Sequence, residues 1–390
     1  MKFHLLGVLV LCVSCQAGGD KQEIWPTNGW PVSSPEEQGM DAAVLARLDQ
    51  EFVDGKHGYI DHMLIIRHGH MVYDRSYMHD YEHINAGLDA PRGMYNYYDP
   101  DWHPYYRDTP LHTIQSATKT LTSALIGIAI GRQELPGVDV EIQSFFENYP
   151  AQDSEQAKQR ITLEDLLTMR AGIDWDEDTY PYTDARNTCG QMEHSEDWIE
   201  YVLNRPMAHE PGTVFVYNSG ATQLLSHIIW QATGSYVDEY AERHLFAPLG
   251  IREYYWKRIP TGLPDTEGGL YLTPHDLAKF GYLYLKDGVW DDERLLPEGW
   301  VQESTRYHVT ELPHSGLVYG YGYKWWLLPY TNPGKAHIYS AWGYGGQRLF
   351  VVPEDDLIAV FTGWNIYDIE SISAHILFDH VLEAVKTTHE

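Results

Sequence analysis

His112-Thr-Ile-Gln-Ser-Ala-Thr-Lys-Thr-Leu-Thr-Ser-Ala-Leu-Ile-Gly-Ile-Ala-Ile-Gly131 is the stretch from which the rest of the chain is read. Leu121, Ala124, Leu125, Ile128 and Ala129 recur at helical spacing, which predicts a buried helix. Ser116 and Lys119 stand three residues apart at its start, so a hydroxyl and an amine share one helix face. A serine there also lies where free backbone N–H groups favour negative charge. A nucleophile, a neighbouring base and an anion-stabilising backbone are what acyl transfer requires. Ser-x-x-Lys is a short pattern that chance alone produces in a chain of this length. It gains weight here because it occurs once and opens a predicted buried helix, the context the pattern needs.

Composition narrows the class. The chain has 390 residues, 43% of them hydrophobic and 13% aromatic, enough for one large domain or two intimately joined ones. Against 27 basic residues stand 56 acidic ones, a net charge of −29. A surface that negative repels phosphate backbones and argues against nucleic acid as a partner. Met1-Lys-Phe-His-Leu-Leu-Gly-Val-Leu-Val-Leu-Cys-Val-Ser-Cys15-Gln-Ala17 reads as a secretory signal, residues 1–17, too short in its apolar core to span a bilayer. Val13-Ser14-Cys15 resembles a lipoprotein cleavage site, which makes Cys15 a candidate lipid anchor; cleavage after Ala17 is the alternative. The expectation is export to the periplasm or outer membrane of a bacterium. The few cysteines imply no disulfide framework.

Outward from the Ser116 stretch, Met40–Phe52 carries Val44, Leu45, Leu48 and Phe52 on one helical face. Met63–Arg67 and Met71–Arg75 flank a Gly-containing turn and predict a hairpin. Residues 77–110 form a long loop rich in aromatics, among them Tyr95, Tyr97, Tyr98, Trp102, Tyr105 and Tyr106; such a loop is expected to wall a cleft or pack on the surface. Residues 116–260 read as mainly helical, with a Thr162 cap opening one helix. From Tyr319 the texture turns to strands: Tyr321–Leu328, His337–Ala341, Gln347–Val352 and Leu357–Thr362. Ile372–Val385 predicts a closing amphipathic helix. Close strand spacing favours antiparallel pairing. The predicted architecture is therefore α/β plus α. An antiparallel sheet flanked by helices comes from about 40–115 and 261–390, with a helical part from about 116–260, all within a mature domain of 25–390.

Two further segments carry chemistry. In Glu210-Pro-Gly-Thr-Val-Phe-Val-Tyr-Asn-Ser-Gly220, Tyr217 follows a β-like run and precedes a helix. Its phenol would serve as a base if its ordinary pKa of about 10 were lowered by a nearby Lys⁺. In Ser340-Ala-Trp-Gly-Tyr-Gly-Gly-Gln347, glycines at a strand end allow close approach of a ligand, and an N–H there would complete an oxyanion hole.

In this order the three segments resemble the serine β-lactamase and penicillin-binding-protein superfamily, and most of all the class C β-lactamase-like group of esterases and 6-aminohexanoate-dimer hydrolases. Ile161-Thr-Leu-Glu-Asp-Leu-Leu-Thr, Pro211-Gly-Thr-Val-Phe-Val-Tyr, Gly268-Gly-Leu-Tyr-Leu-Thr-Pro-His-Asp-Leu-Ala-Lys-Phe and Gly346-Gln-Arg-Leu-Phe-Val-Val-Pro extend the likeness over nearly the whole mature chain. It implies a β-lactamase/transpeptidase-like fold and a covalent mechanism. Ser116 would be acylated, Lys119 and Tyr217 would share proton transfer, and the N–H groups of Ser116 and Tyr344 would hold the oxyanion. Ser219, Trp342 and Gly343 fall at the family's substrate positions. Two departures stand out. Tyr-x-Asn is here Tyr217-Asn218-Ser219, and the Lys-Thr-Gly or His-Thr-Gly element is Ala341-Trp342-Gly343. Alanine has no charge for a substrate carboxylate.

The reading is a serine acyl hydrolase acting on a small-molecule ester or amide, with weak or no β-lactamase activity and neither cofactor nor metal. Its rivals are a slowly acylating sensor or binding protein on the same fold, and a D-amino-acid peptidase or transesterase. Tyr330-Thr-Asn332 competes with Tyr217 for the Tyr-x-Asn role. His79 and His83, with His68 and His70 nearby, are the candidates for a metal site and lack the third placed ligand that zinc chemistry asks for.

Overall fold

The computed structural model describes residues 23–86, 103–149, 156–314, 317–329, 336–366 and 372–385. Residues 1–22 with Cys15, the aromatic residues Tyr95 to Trp102 and the Tyr330-Thr-Asn332 segment lie outside the described residues.

One eight-stranded antiparallel sheet draws on both ends of the chain. Its strands are β1 (Ile60–Arg67), β2 (His70–Ser76), β3 (Val309–His314), β4 (Leu317–Tyr321), β5 (Trp326–Leu328), β6 (Ile338–Gly343), β7 (Gln347–Val352) and β8 (Leu357–Gly363). They lie in the order β2-β1-β8-β7-β6-β5-β4-β3. The first hairpin turns through His68 and Gly69, both with positive φ, the pairing that a two-residue hairpin demands. β1 and β8 are buried along their whole length, as strands covered on both faces must be. One face packs α1 (Ala42–Val53) and the chain's C-terminal turns through Leu48, Phe52, Ile65, Phe350 and Leu377. The other meets α4 (Pro274–Leu285) and, beyond it, the helical part. Gly281 lets α4 approach, since a Cβ there would stand 2.8 Å from Leu349.

The Ser116 stretch becomes the centre of the molecule. A 3-10 turn, Gln115–Ala117, leads into α2 (Thr118–Gly131), which is buried from Thr118 to Ala129 on every side. A helix that is apolar all round belongs inside a core. Its neighbour is α3 (Ser219–Thr233), capped by Asn218, whose side chain accepts from Ala221 N–H. The Thr162 cap forms a full capping box with Asp165.

Two sequence expectations change. Tyr321–Leu328 is not one strand: β4 ends at Tyr321, and Gly322–Trp325 turns before β5. Gly322 is seated against the Ser304 carbonyl, where a Cβ would lie 2.2 Å away, and Lys324 adopts a positive φ of 65°. Lys324 then plugs into the helical part, donating to Leu166 O at 2.6 Å. The closing amphipathic helix is instead a set of turns around a π-helical segment, Leu377–Val381, with Ile376, Leu377, Val381 and Ala384 buried as the pattern predicts.

Gly127 on α2 faces the Trp300 indole so closely that a Cβ would lie 2.3 Å from it. Overpacking of this kind costs about 1–3 kcal/mol. Gly127→Ala should lower the urea midpoint of unfolding by a corresponding amount, with the slope unchanged.

Candidate active site

Ser116 is half-buried at the mouth of α2. The residue before it, Gln115, has φ +47°, a strained value for a non-glycine residue, and its amide donates to Thr113 Oγ1. The sharp turn lifts Ser116 to the end of the helix. Gly343 makes room for it: a Cβ at 343 would meet the Ile114 carbonyl at 2.2 Å. The end of β6 and the Ser116 turn therefore touch backbone to backbone, with Tyr344 next in the chain.

Lys119 is 1% exposed. Its Nζ donates to Ser116 Oγ at 2.7 Å, to the Glu267 carbonyl at 2.7 Å and to Glu267 Oε2 at 3.2 Å. Burial works against the ammonium, but the acidic groups around it, Glu267 and Glu177 among them, outweigh it and raise the lysine pKa. The Tyr217 ring lies 5.3 Å from Lys119 Nζ. Burial dominates at the phenol and pushes it up to about 12, despite the opposing pull of Lys119 and a hydrogen bond with Ser116. The expected lowering of this pKa is therefore reversed, and Tyr217 rests as a neutral phenol.

Ser219 is placed differently from its substrate-contacting expectation. It is fully buried, and both its N–H and its hydroxyl donate to Glu177, each at 2.8 Å. Glu177 also accepts from the Trp175 indole and the Tyr182 hydroxyl. Burial still pushes its carboxyl up to about 7. Glu177 and Glu267 were not singled out from sequence. The one signal available was an acidic residue, Glu267, directly before the Gly268-Gly269 pair.

Beside the site, Trp326 stacks on Tyr217 at 5.9 Å, and Trp342, which packs with the core cluster on the α1 face of the sheet, stacks on Trp326 at 4.9 Å. Arg348 caps the far side of Trp342, with Cζ 4.9 Å from the ring. The three aromatic rings are all partly exposed. The β5 ladder along β6 stops at Ser340, so Ala341–Gly343 has no strand partner on that side among the described residues. Ala341 itself is buried in the core. Tyr344 meets Tyr182 edge-on at 5.3 Å. The histidine candidates do not converge: His79 bonds the Ile60 carbonyl, His70 bonds the His68 carbonyl, and His83 is exposed.

A serine hydroxyl against a buried lysine, at the start of a helix beside an open strand edge, is the geometry on which family comparison bears. The family model described as Beta-lactamase matches residues 45–362, well over half of the chain. The chain belongs to the beta-lactamase family. Within it this is a hydrolase with the antiparallel sheet and helices of the beta-lactamase/transpeptidase-like fold. A structure provisionally named 6-aminohexanoate-dimer hydrolase, from Bacillus anthracis, superimposes with a TM-score of 0.65 at 20% identity, covering 87% of this chain and 83% of its own. EstCE1, a hydrolase with promiscuous acyltransferase activity, gives 0.64 at 15% identity, covering 90% and 98%. A Salmonella agona (strain SL483) protein provisionally named D-alanyl-D-alanine carboxypeptidase is 23% identical over 271 residues, 67% of this chain and 57% of the relative. The chain thus spans little more than half of that relative's length.

The raised Glu177 carboxyl has a testable consequence. A buried acid whose folded pKa is raised destabilises the fold as pH climbs from its ordinary 4.5 through about 7, because the folded state resists the ionisation that the unfolded chain allows. Glu177→Gln removes that cost while losing an acceptor. Its melting temperature relative to wild type should therefore improve steadily between about pH 4.5 and 7, and level off above.

Proposed function

We propose that this protein is a serine acyl hydrolase that cleaves neutral esters or amides through an acyl-Ser116 intermediate. The observation that carries the reading is the 2.7 Å contact between Ser116 Oγ and the buried Lys119 Nζ. In the proposed reaction Ser116 Oγ attacks the acyl carbon as its proton passes to Lys119 in its neutral amine form. Tyr217, a neutral phenol beside both groups, carries a proton towards the leaving atom. The oxyanion falls to the N–H groups of Ser116 and Tyr344, where the Gly343 contact with Ile114 supports their convergence. Water then releases the acyl group.

The preference for neutral substrates follows from the β6 edge. Ala341 supplies no cation, so a substrate carboxylate there forgoes a charge-assisted bond, about 1.5–3 kcal/mol. The ladder of Tyr217, Trp326 and Trp342 offers ring faces instead, and suits an apolar, aromatic or sugar moiety. The same logic disfavours the D-alanyl-D-alanine terminus in the Salmonella relative's name, which ends in a carboxylate.

Three measurements test this. A fluorescent fluorophosphonate should label wild type and leave Ser116→Ala unlabelled. A short p-nitrophenyl ester should be hydrolysed much faster than a cephalosporin; the opposite order removes the neutral-substrate claim. Tyr217→Phe should slow acylation by about a hundredfold or more, the usual worth of a proton-transfer group.

A further inference from the structure

Lys119 has no spare donor. An ammonium carries three N–H groups and no lone pair. Three acceptors surround it: Ser116 Oγ, the Glu267 carbonyl and Glu267 Oε2. Before Nζ can take the serine proton, it must lose one of its own. Ser116 is the intended donor, and a peptide carbonyl is too weak a base to keep a proton. Oε2 of Glu267 remains. The companion oxygen, Oε1, is buried without a hydrogen-bond partner. The residue is pinned in place, since Asp265 Oδ1 accepts from the N–H groups of Glu267 at 3.1 Å and Gly268 at 3.0 Å.

We propose that Glu267 is the proton store of Lys119, a positioning residue that frees the amine for catalysis. The inference rests on Ser116 being the nucleophile, as argued above. A proton moves from Nζ to Oε2, leaving a neutral amine and a neutral acid. As Oγ bonds to the acyl carbon and the carbonyl electron pair moves to oxygen, the Oγ–H proton passes to Nζ. When the tetrahedral adduct collapses, Nζ gives that proton through Tyr217 to the leaving atom. Oε2 then returns its proton to Nζ, and the ion pair is restored. Net transfer is one proton, from serine to leaving group.

Two sets of groups bear on this exchange. Tyr217, Glu177 and Cys189 face Lys119 and, where ionised, hold its proton in place, so the drive comes from the carboxylate side. Glu177 and Asp265 set further negative charge against Glu267, and Cys189 and Glu193 place ligand atoms within 4.8 Å of its carboxylate. Lys257 faces Asp265 and Glu267, and Lys324 faces Lys119 and Glu177; burial lowers the pKa of both. So many acidic groups in one dry space make a proton on one of them cheap.

The experiment follows acylation by a short p-nitrophenyl ester from pH 5 to 10 in wild type, Glu267→Gln and Glu267→Asp. Gln keeps an oxygen for Nζ and cannot hold the proton. Its rate should fall about a hundredfold at pH 7 and recover about tenfold per pH unit, as hydroxide strips Lys119 directly. The Asp variant should regain more than tenfold of the loss, with the flatter wild-type profile. Where the Gln variant does not fold, Glu267→Ser carries the same expectation. A folded Gln or Ser variant within threefold of wild type, with an unchanged pH profile, overturns the proposal. So does a faster variant, which would make Glu267 a restraining counter-ion. Wild type that escapes the fluorophosphonate, or Ser116→Ala that stays active, sinks the hydrolase reading itself, whereas an active, labelled wild type with an indifferent Gln variant sinks only the role of Glu267.

Discussion

The buried ammonium of Lys119 is the constraint from which most of this structure follows. A charge taken out of water is tolerated only when paired and fully hydrogen-bonded. Here every acceptor comes from two segments, the Ser116 turn and the turn at Glu267. α2 must therefore pass through the middle of the molecule, and the Asp265–Gly269 segment must fold back along it. The second segment is held by its own side chain, Asp265, and Gly269 leaves space for it, since a Cβ there would lie 2.6 Å from Asp265. Packing and chemistry share the same atoms, so neither can drift without the other.

A second consequence concerns charge. Glu177, Asp265 and Glu267 converge near Lys119, three acidic groups around one ammonium. Burial and mutual repulsion push both Glu177 and Asp265 up to about 7. Such groups share protons among themselves, and their titration belongs to the set rather than to one residue. Tyr217 feels the same field, and that, with burial, is why its phenol stays neutral beside a cation.

Much of the fold was legible because it is carried by pattern. The apolar spacing of Leu121 to Ala129, the Thr162 cap and the β-rich run Gln347–Val352 each report local structure directly. So did the proximity of Ser116 and Lys119, which needs only one helical turn. What escaped depends on residues far apart in the chain. Glu267 lies 148 residues from Lys119, and no local period announces that contact. Ser219 looked like a substrate contact by its place after Tyr217, yet its hydroxyl is drawn inward by Glu177, 42 residues upstream. The break in Tyr321–Leu328 is likewise set by a remote carbonyl, at Ser304, against which only glycine fits. The sign of the Tyr217 shift depended on burial, which a sequence states only indirectly.

The proposed preference for neutral substrates rests on charge. Several buried carboxyl groups surround Lys119; at the family's cation position the sequence has Ala341, whose side chain is buried in the core, and the stacked rings of Trp326 and Tyr217 lie beside the site. Arg348 does not restore the missing charge. It is spent on the carbonyls of Gly343 and Gln347 and on the far face of Trp342, and burial lowers its pKa to about 10. An anionic substrate would thus meet repulsion from within and no partner from without, on a chain of net charge −29. Under the proposed function, a neutral acyl group laid on the aromatic faces meets neither penalty, and the N–H groups at Ser116 and Tyr344 would then be the main source of positive potential for the oxyanion.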